Sequence, residues 1–171
     1  MTTKIEGIIK PDAGQGFTQE NYKVIISEIA KHFDGVKNCG KYGTINVTSL
    51  KPPLRKSFAD YWTPRIRWKP IMGIEPERHE MYGLIKINFE CAPEGKTHEA
   101  WIIMPEGHTF SYDEDQGVEI ISETWISDAK RGAPCAISID HKPSTPRPSD
   151  FGDVVSPHLR RLIENPAAVP R

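Results

Sequence analysis

The sequence predicts a mainly β protein, a closed or nearly closed β-barrel with one principal α-helix and a C-terminal extension. Three observations predict this class. Apolar and polar residues alternate with a period of two in several short segments, turn residues separate these segments, and only one long stretch has the apolar spacing of a helix. Short strands joined by turns are typical of small barrels.

The elements follow in order along the chain. The first strand is predicted over residues 5–10. The principal helix is predicted over residues 19–33, where Ile25 and Ile29 can share one face and Thr18 can cap the N-terminus. Further strands are predicted over residues 44–50, 81–89, 99–104, 118–122 and 136–140.

Residues 51–70 interrupt this pattern with four prolines. Proline spacing of this kind is incompatible with a regular element, so we expect a long irregular excursion. The excursion mixes cations with aromatic residues, among them Arg65, Trp62 and Trp68. Such a mixture can stack a base or a flavin ring and bind phosphate, or it can cover one end of the barrel.

The composition changes towards the C-terminus. Residues 142–150 hold three prolines and three Ser or Thr residues, which is typical of a linker. Residues 156–165 can form a short helix, or they can belong to a disordered tail. We therefore predict a barrel domain over residues 1–141, followed by a proline-rich linker and a C-terminal tail over residues 142–171.

Overall composition narrows the class of protein. The chain has 171 residues, of which 37% are hydrophobic and 26% charged, and a formal net charge of −1. This balance suits a single soluble domain and disfavours nucleic acid as the main partner, because binding to a phosphate backbone needs a basic excess. Three cysteines without a Cys-x-x-Cys motif indicate free thiols in a reducing compartment. No apolar run reaches membrane-spanning length, so we predict a cytoplasmic protein without a membrane partner.

Two glycines, Gly14 and Gly16, follow the first predicted strand. Glycines one residue apart let the backbone approach a ligand closely and direct successive N–H groups at one anion. The segment therefore suits a phosphate group. The alternative is an ordinary tight turn, since no third glycine completes a dinucleotide-binding motif and no Gly-x-x-x-x-Gly-Lys-Ser/Thr loop is present.

Thr44 and Asn46 are candidate ligands of a metal ion. Residues two apart project from the same face of a strand, while Ile45 and Val47 project from the other face. A hydroxyl and an amide oxygen side by side are hard oxygen ligands, which suit Mg²⁺ that also holds phosphate oxygens. The alternative is a turn followed by a strand with one polar face.

A series of short motifs follows in order along residues 5–140. These motifs are Ile5-Glu6-Gly7, Gly14-x-Gly16, Tyr42-Gly43-Thr44-Ile45-Asn46-Val47, Tyr82-Gly83-Leu84-Ile85-Lys86-Ile87, Ala100-Trp101-Ile102-Ile103-Met104-Pro105, Thr109 and Val118-Glu119-Ile120-Ile121-Ser122. In their order and spacing they resemble the archaeal CTP-dependent riboflavin kinases, a family with a cradle-loop β-barrel.

The resemblance implies a set of ligand-binding residues. The loop that would wrap the nucleotide phosphates consists of Ala13, Gly14, Gln15, Gly16, Phe17 and Thr18. The residues that would contact the nucleotide base are Thr124, Trp125, Ile126 and Ser127. Mg²⁺ would be held by Thr44 and Asn46, and the flavin or its ribityl chain by Thr109 and Glu119. The implied phosphate donor is CTP or another nucleotide, and the implied acceptor is riboflavin or a similar primary alcohol.

Glu119 is the candidate catalytic residue. Phosphoryl transfer depends on positioning, on a metal ion across the phosphates and on a group that orients the attacking hydroxyl. A carboxylate can accept the proton of a primary alcohol, and Glu119 is the carboxylate that the resemblance offers for this role. The alternative is an outward-facing residue on a strand whose neighbours Val118 and Ile120 point inward.

The chain departs from the family after the Glu119 strand. A Leu-Arg-containing segment of the family is replaced by residues 123–128, and the basic residues are displaced to Lys130 and Arg131. Two functions therefore stay open. The protein is either a Mg²⁺-dependent, riboflavin-kinase-like phosphotransferase, or a barrel that binds a nucleotide or flavin without turnover as a sensor or interaction module. In both cases we expect small-molecule partners and a monomer or homodimer.

Two histidines offer a second metal site. His98 and His108 flank a predicted strand and, with Glu99 or Glu106, can bind a metal ion. The alternative is that they are polar surface groups, since their spacing is not tight. Cys135, near the start of the last predicted strand, is expected to be a buried thiol.

Overall fold

The computed structural model describes residues 1–10, 19–39, 41–69, 76–91, 95–107 and 117–140. These residues form a closed six-stranded antiparallel β-barrel with one extra barrel strand and one principal helix, which confirms the predicted fold class. The elements are β1 (Thr2–Ile9), α1 (Gln19–Ala30), β2 (Ile45–Lys51), β3 (Tyr61–Trp62), β4 (Ile66–Trp68), β5 (Arg78–Glu80), β6 (Tyr82–Cys91), β7 (Lys96–Pro105), β8 (Val118–Ile121) and β9 (Pro134–Asp140).

The barrel strands follow the order β6-β7-β8-β2-β1-β9, and β9 pairs back onto β6. Every one of these pairings is antiparallel. We call the β6–β9 pairing the closing seam; it joins residues 88–91 to residues 135–138. The extra strand β3 also pairs with β6, and β4 pairs with β5 in a separate two-stranded sheet. Each predicted strand therefore takes part in a single barrel wall.

Alternation along the strands builds two hydrophobic cores. Every second residue of a strand points into the barrel, as Ile85 and Phe89 do on β6, and these side chains form the interior core. The residues between them face outward, and on three neighbouring strands they form a second, outer core. This outer core contains Leu84 of β6, Ile103 of β7 and Ile121 of β8 beneath α1. Successive side chains of a strand point to opposite faces, so one sequence pattern supplies both cores.

The helix α1 covers the outer face because its apolar residues recur at helical spacing. Ile25 and Ile29 are buried in the outer core. The helix ends at Ala30, earlier than the predicted residue 33, although the N–H of Phe33 still donates to the carbonyl of Ile29. Phe33 then stacks on Tyr61, with 4.9 Å between the ring centroids. This ring contact fixes the position of the helix C-terminus against the β3 region.

The excursion between β2 and β6 holds more regular structure than its prolines indicate. Its described part contains a 3-10 helix at Lys56–Phe58 and the strands β3, β4 and β5, so the expectation of a wholly irregular segment is wrong. Trp68 is buried in the outer core, and its indole N–H donates to the hydroxyl of Tyr82 at 2.8 Å. Arg65 forms an ion pair with Glu106. These contacts hold part of the excursion against the outside of the barrel wall, and the prediction that it covers one end of the barrel stays a prediction.

Several predicted features lie outside the described residues. They are the loop residues 13–18, Thr109, His108 and the C-terminal region 142–171, and what is predicted of them stays a prediction. In the part of the chain that the structure describes, no helix is both long enough and apolar enough to cross a membrane.

Candidate functional site

The centre of the candidate site is a pair of residues on neighbouring strands. Asn46 of β2 lies directly opposite Glu119 of β8 in their antiparallel pairing. Residues in this relation project from the same face, with Cβ atoms roughly 5 Å apart. Their neighbours Val47 and Val118 belong to the interior core, so Asn46 and Glu119 share the outer face. Both are half-buried.

A row of four residues crosses the outer face at this level. Ile103 of β7 lies opposite Glu119 on one side. On the other side, the backbone N–H of Lys10 donates to the carbonyl of Asn46 at 2.8 Å. Ile103 belongs to the outer core, and Lys10 is the last described residue before the predicted glycine loop. The row therefore runs from an apolar side chain through a carboxyl and an amide to a cation.

A cavity of about 220 Å³ opens beside Asn46. It lies between the end of β1, the start of β2 and residues 122–131, which follow β8 and which we call the binding segment. Thr44 and Asn46 line the cavity, and so do the residues from Thr124 to Ser127. The structure thus brings together, in one cavity, the predicted metal ligands and the residues predicted to contact a base.

The lining of this cavity combines several kinds of group that suit a nucleotide. Lys10 and Arg131 contribute positive charges, and the described lining contains no carboxylate. Ser122, Thr124 and Ser127 contribute hydroxyl groups. Cations and hydroxyl groups bind phosphate and ribose oxygens through hydrogen bonds that the charge strengthens. An anionic, hydrogen-bonding ligand therefore matches this cavity better than an apolar molecule does.

Two exposed aromatic side chains meet at the cavity. Tyr42 is 41% exposed and Trp125 is 66% exposed. Their ring centroids lie 6.0 Å apart at an interplanar angle of 71°, which is an edge-to-face contact. Gly43 has a φ of 83°, in the left-handed region that glycine tolerates best, and so permits the turn between Tyr42 and Thr44. The two rings offer a surface on which a planar base can stack.

Thr44 and Asn46 fit the oxygen donor set of Mg²⁺. All of residues 44–46 line the cavity, and Ile45 also packs against the interior core. Glu119, opposite Asn46 on β8, is not part of this cavity lining. Mg²⁺ typically takes a few such oxygens from the protein and completes its octahedron with water and phosphate oxygens.

Burial governs the ionisation of Glu119. Desolvation at its half-buried position raises the pKa of Glu119 to about 7. The close approach of β8 to β2 contributes to this burial. A Cβ at Gly117 would lie 2.7 Å from the carbonyl oxygen of Val47, so a larger residue there would push the strands apart. Near neutral pH the Glu119 carboxyl is divided between its two protonation forms, which suits a group that accepts a proton.

The binding segment is anchored to the barrel from within. Ile126 is buried in the interior core. The hydroxyl of Ser122 donates to the carbonyl of Thr124, which tightens the turn after β8. The exposed Trp125 therefore sits between a fixed turn and a buried isoleucine, and its position is set by its neighbours on both sides.

A mostly buried contact between a histidine and an aspartate provides a further anchor for the binding segment. Nε2 of His98, on β7, lies 2.9 Å from Oδ1 and 3.2 Å from Oδ2 of Asp128. The two side chains are only 17% and 10% exposed. Burial of Asp128 opposes its ionisation, but the hydrogen bond from His98, a backbone hydrogen bond and the nearby positive charges together outweigh burial, so the pKa of Asp128 is lowered. The pair ties the end of the binding segment to the barrel wall.

The structure differs from the predicted site at several residues. Glu119 does not line the cavity itself and adjoins it through Asn46. Lys10 and the His98–Asp128 pair were not predicted. A lysine that ends a strand directly before a glycine loop is a local signal for phosphate binding, so Lys10 could have been found. His98 and Asp128 are thirty residues apart and carry no such signal.

The alternative metal site around His98 is not supported by the described residues. His98 pairs with Asp128, and Glu106 pairs with Arg65. Among the residues that the structure describes, no group of three His, Cys, Asp or Glu side chains can hold a metal ion.

Two larger cavities lie elsewhere on the barrel. One, of about 780 Å³, runs along α1, and the other, of about 560 Å³, includes Cys91 and Cys135 in its lining. Neither contains Thr44, Asn46 or Glu119. We therefore take the cavity of about 220 Å³ as the candidate site, because of the side chains that line it and not because of its size.

No protein-family model matches the chain, and no curated protein matches it.

Proposed function

We propose that this protein is a Mg²⁺-dependent small-molecule kinase that transfers phosphate from a nucleotide to riboflavin or a similar primary alcohol. One observation carries the proposal. Asn46 lines the cavity and also lies opposite Glu119, so one residue adjoins both a nucleotide-compatible cavity and a half-buried carboxyl. Phosphoryl transfer requires a donor phosphate and an acceptor hydroxyl held side by side, and this pairing offers a place for each.

The donor half of the proposed site is the cavity. Lys10 and Arg131 would bind the phosphates, together with the backbone of residues 13–18. Trp125 would stack on the base, with Tyr42 packed edge-to-face beside it. Thr44 and Asn46 would hold Mg²⁺. The ion, when bound, neutralises charge on the transferred phosphate, as metal ions do in phosphoryl-transfer enzymes generally.

The acceptor half of the proposed site is the outer face around Glu119. The ionised carboxylate would accept a hydrogen bond from the primary hydroxyl and take its proton as the reaction proceeds. The acceptor oxygen forms a bond to the terminal phosphorus, the bond from that phosphorus to the bridging oxygen breaks, and the nucleoside diphosphate leaves. A pKa of about 7 for Glu119 suits this role near neutral pH. Ile103 and the outer core offer an apolar surface to the rest of the acceptor.

A second candidate function is a barrel that binds a nucleotide or flavin without turnover. The position of Glu119 outside the cavity lining favours this candidate. So does the replacement of the family's Leu-Arg-containing segment by residues 123–128. The two candidates share the same ligands and differ only in whether phosphate is transferred.

A thermal-shift panel with CTP, ATP, riboflavin and FMN, each with and without Mg²⁺, tests the proposal. A ligand at a hundred times its Kd stabilises a protein by about 2.7 kcal/mol, a shift of several degrees. We expect a nucleotide to raise the unfolding temperature only with Mg²⁺, and riboflavin to raise it further. A nucleotide shift without product formation would favour the binding barrel. No shift with any nucleotide would contradict the kinase, and no shift with any of the four ligands would contradict both candidates.

A further inference from the structure

Cys91 and Cys135 are directly opposed across the closing seam. Cys91 ends β6, Cys135 lies near the start of β9, and the two are partners at one end of the pairing. Both are free thiols in the interior core, with exposures of 1% and 5%. Antiparallel partners project from the same face of the sheet with Cα atoms about 4.5 to 5.5 Å apart. A disulfide spans Cα separations of about 4.4 to 6.8 Å, so this pairing lies within its range.

We propose that Cys91 and Cys135 form a site of reversible oxidative cross-linking, at which a small hydroperoxide converts the two thiols to a disulfide that locks the closing seam. The Cβ atoms of opposed residues are typically about 5 Å apart, and those of a disulfide about 4 Å apart. A local movement of about 1 Å therefore suffices. This site is independent of the proposed kinase activity.

An open cavity borders the pair. Both cysteines are among the residues that line the cavity of about 560 Å³ on this side of the barrel. Gly7 of β1 lies opposite Cys135 and also lines the cavity, but the side chains of Val47 and Leu50 fill the space that a Cβ there would take. A small hydroperoxide can approach the seam by this route, whereas a bulky oxidant is excluded from thiols that are almost fully buried.

The burial of the thiols sets the rate of the reaction. Desolvation, with a contribution from Asp128, raises the pKa of Cys91 to about 11. Desolvation, with a contribution from Cys91, raises the pKa of Cys135 to about 12. The thiolate is the reactive form, so oxidation is slow at neutral pH. The rate should rise about tenfold for each pH unit below the pKa of Cys91.

The reaction balances in two steps. The Cys91 thiolate attacks one oxygen of the hydroperoxide; the O–O bond breaks, Cys91 becomes a sulfenic acid and the hydroperoxide is reduced to an alcohol or to water. The Cys135 sulfur then attacks the Cys91 sulfur, the S–O bond breaks, and the hydroxyl group leaves as water with the proton of the Cys135 thiol. Two thiols lose two electrons and two protons, and the hydroperoxide accepts both.

The disulfide would enclose a large part of the barrel. The chain between Cys91 and Cys135 contains β7, β8 and the binding segment. Cross-links that close long loops restrict the unfolded chain most, so the oxidised protein should unfold at a temperature on the order of 10 °C higher.

Peroxide treatment of the full chain tests the proposal. Wild-type protein and its Cys39→Ser and Cys135→Ser variants are exposed to hydrogen peroxide at pH 7, 8 and 9, then analysed by intact mass and non-reducing peptide mapping. Cys39 is the matched control, because it is also buried and free, its pKa is also raised to about 11, and it lies in the outer core. We expect wild type and Cys39→Ser to lose the mass of two hydrogen atoms and to yield a Cys91–Cys135 peptide that dithiothreitol separates.

The wild-type map alone decides the question if a variant does not fold. A disulfide that involves Cys39 would overturn the proposal, as would oxidation of Cys91 or Cys135 to sulfinic acid without a cross-link. A wild type that resists peroxide at pH 9 would overturn it as well. In a folded Cys135→Ser variant, we expect oxidised Cys91 without a disulfide.

Discussion

Asn46 and Glu119 lie directly opposite each other on neighbouring antiparallel strands of the barrel. This relationship joins two regions with different chemistry. On the Asn46 side is a cavity with two cations, several hydroxyl groups and an aromatic pair. On the Glu119 side is an apolar core beneath a helix. Because the pairing fixes the distance between these regions, substitutions at each residue should have separable effects.

The raised pKa of Glu119 predicts a dependence of stability on pH. Its folded-state pKa of about 7 lies above its ordinary value of 4.5, so the folded protein binds the proton more tightly than the unfolded chain does. Glu119 therefore lowers stability progressively as pH rises from 4.5 to 7, and the effect is constant above that range. Glu119→Gln removes it and should be more stable than wild type by on the order of 1 to 3 kcal/mol at pH 8.

Thermal unfolding of both proteins between pH 4.5 and pH 8.5 measures this effect. The comparison cancels all other titrating groups. The difference in unfolding temperature should grow in favour of Glu119→Gln up to about pH 7 and then level off. A difference that stays constant with pH would show that Glu119 is not desolvated in the folded protein.

Asn46→Ala should abolish the Mg²⁺-dependent part of nucleotide binding. Asn88 provides a matched control, because it is also a half-buried asparagine on a barrel strand and does not line the cavity. Calorimetric titration with CTP and with ATP, with and without Mg²⁺, measures the effect. We expect Mg²⁺ to increase the affinity of wild type and Asn88→Ala at least tenfold, which is about 1.4 kcal/mol, and to leave Asn46→Ala unchanged. Equal Mg²⁺ dependence in all three proteins would exclude Asn46 as a ligand.

Trp125 should contribute to nucleotide affinity through stacking. Base–aromatic stacking is worth about 1 to 3 kcal/mol per base. Trp125→Ala should therefore weaken nucleotide binding roughly 5- to 150-fold, while Trp125→Phe, which keeps a ring, should recover most of the affinity. Because Trp125 is exposed, neither change should alter the unfolding temperature by much. Wild-type affinity in Trp125→Ala would place the base elsewhere.

The His98–Asp128 pair predicts a second dependence on pH, with the opposite sign. The folded-state pKa of Asp128 is lowered from its ordinary value of 3.8, so its contribution to stability is present above pH 3.8 and is lost as pH falls through the lowered value. Asp128→Asn should unfold at a lower temperature than wild type at pH 7, and the two proteins should converge as pH falls below about 4. Scanning calorimetry at pH 3, 5 and 7 measures this. A gap that widens at acid pH would contradict the assignment.

The sequence was sufficient to predict the barrel because its strands alternate with a period of two. The strand predicted over residues 99–104 runs over Lys96–Pro105, since pairing with β6 extends it into residues that are polar on both faces. The strands β3, β4 and β5 were missed because two or three residues are too few to show a period. These short strands are stabilised by pairing with other strands and not by the intrinsic β preference of their own residues.

The candidate site was predictable in parts. Alternation places Thr44 and Asn46 on one face of a strand, and it places Glu119 on the face opposite to Val118 and Ile120. The register that sets Asn46 against Glu119 depends on how distant strands pair, which a local pattern does not specify. The same reason explains why the His98–Asp128 contact was missed. The contributions of residues 13–18 and Thr109 stay predictions.

The central claim is phosphate transfer to a primary alcohol beside Glu119, and the formation of FMN from riboflavin tests it most directly. Wild type, Glu119→Gln and the control Glu99→Gln, an exposed carboxyl on β7, are incubated with riboflavin, Mg²⁺ and either CTP or ATP. FMN is then quantified by chromatography with fluorescence detection. Loss of one positioned acid–base group typically costs about 100- to 10,000-fold in rate. We predict that wild type and Glu99→Gln form FMN with at least one donor, while Glu119→Gln binds nucleotide as tightly but loses rate by that factor. Wild-type protein that binds nucleotide and forms no FMN with either donor would contradict the claim.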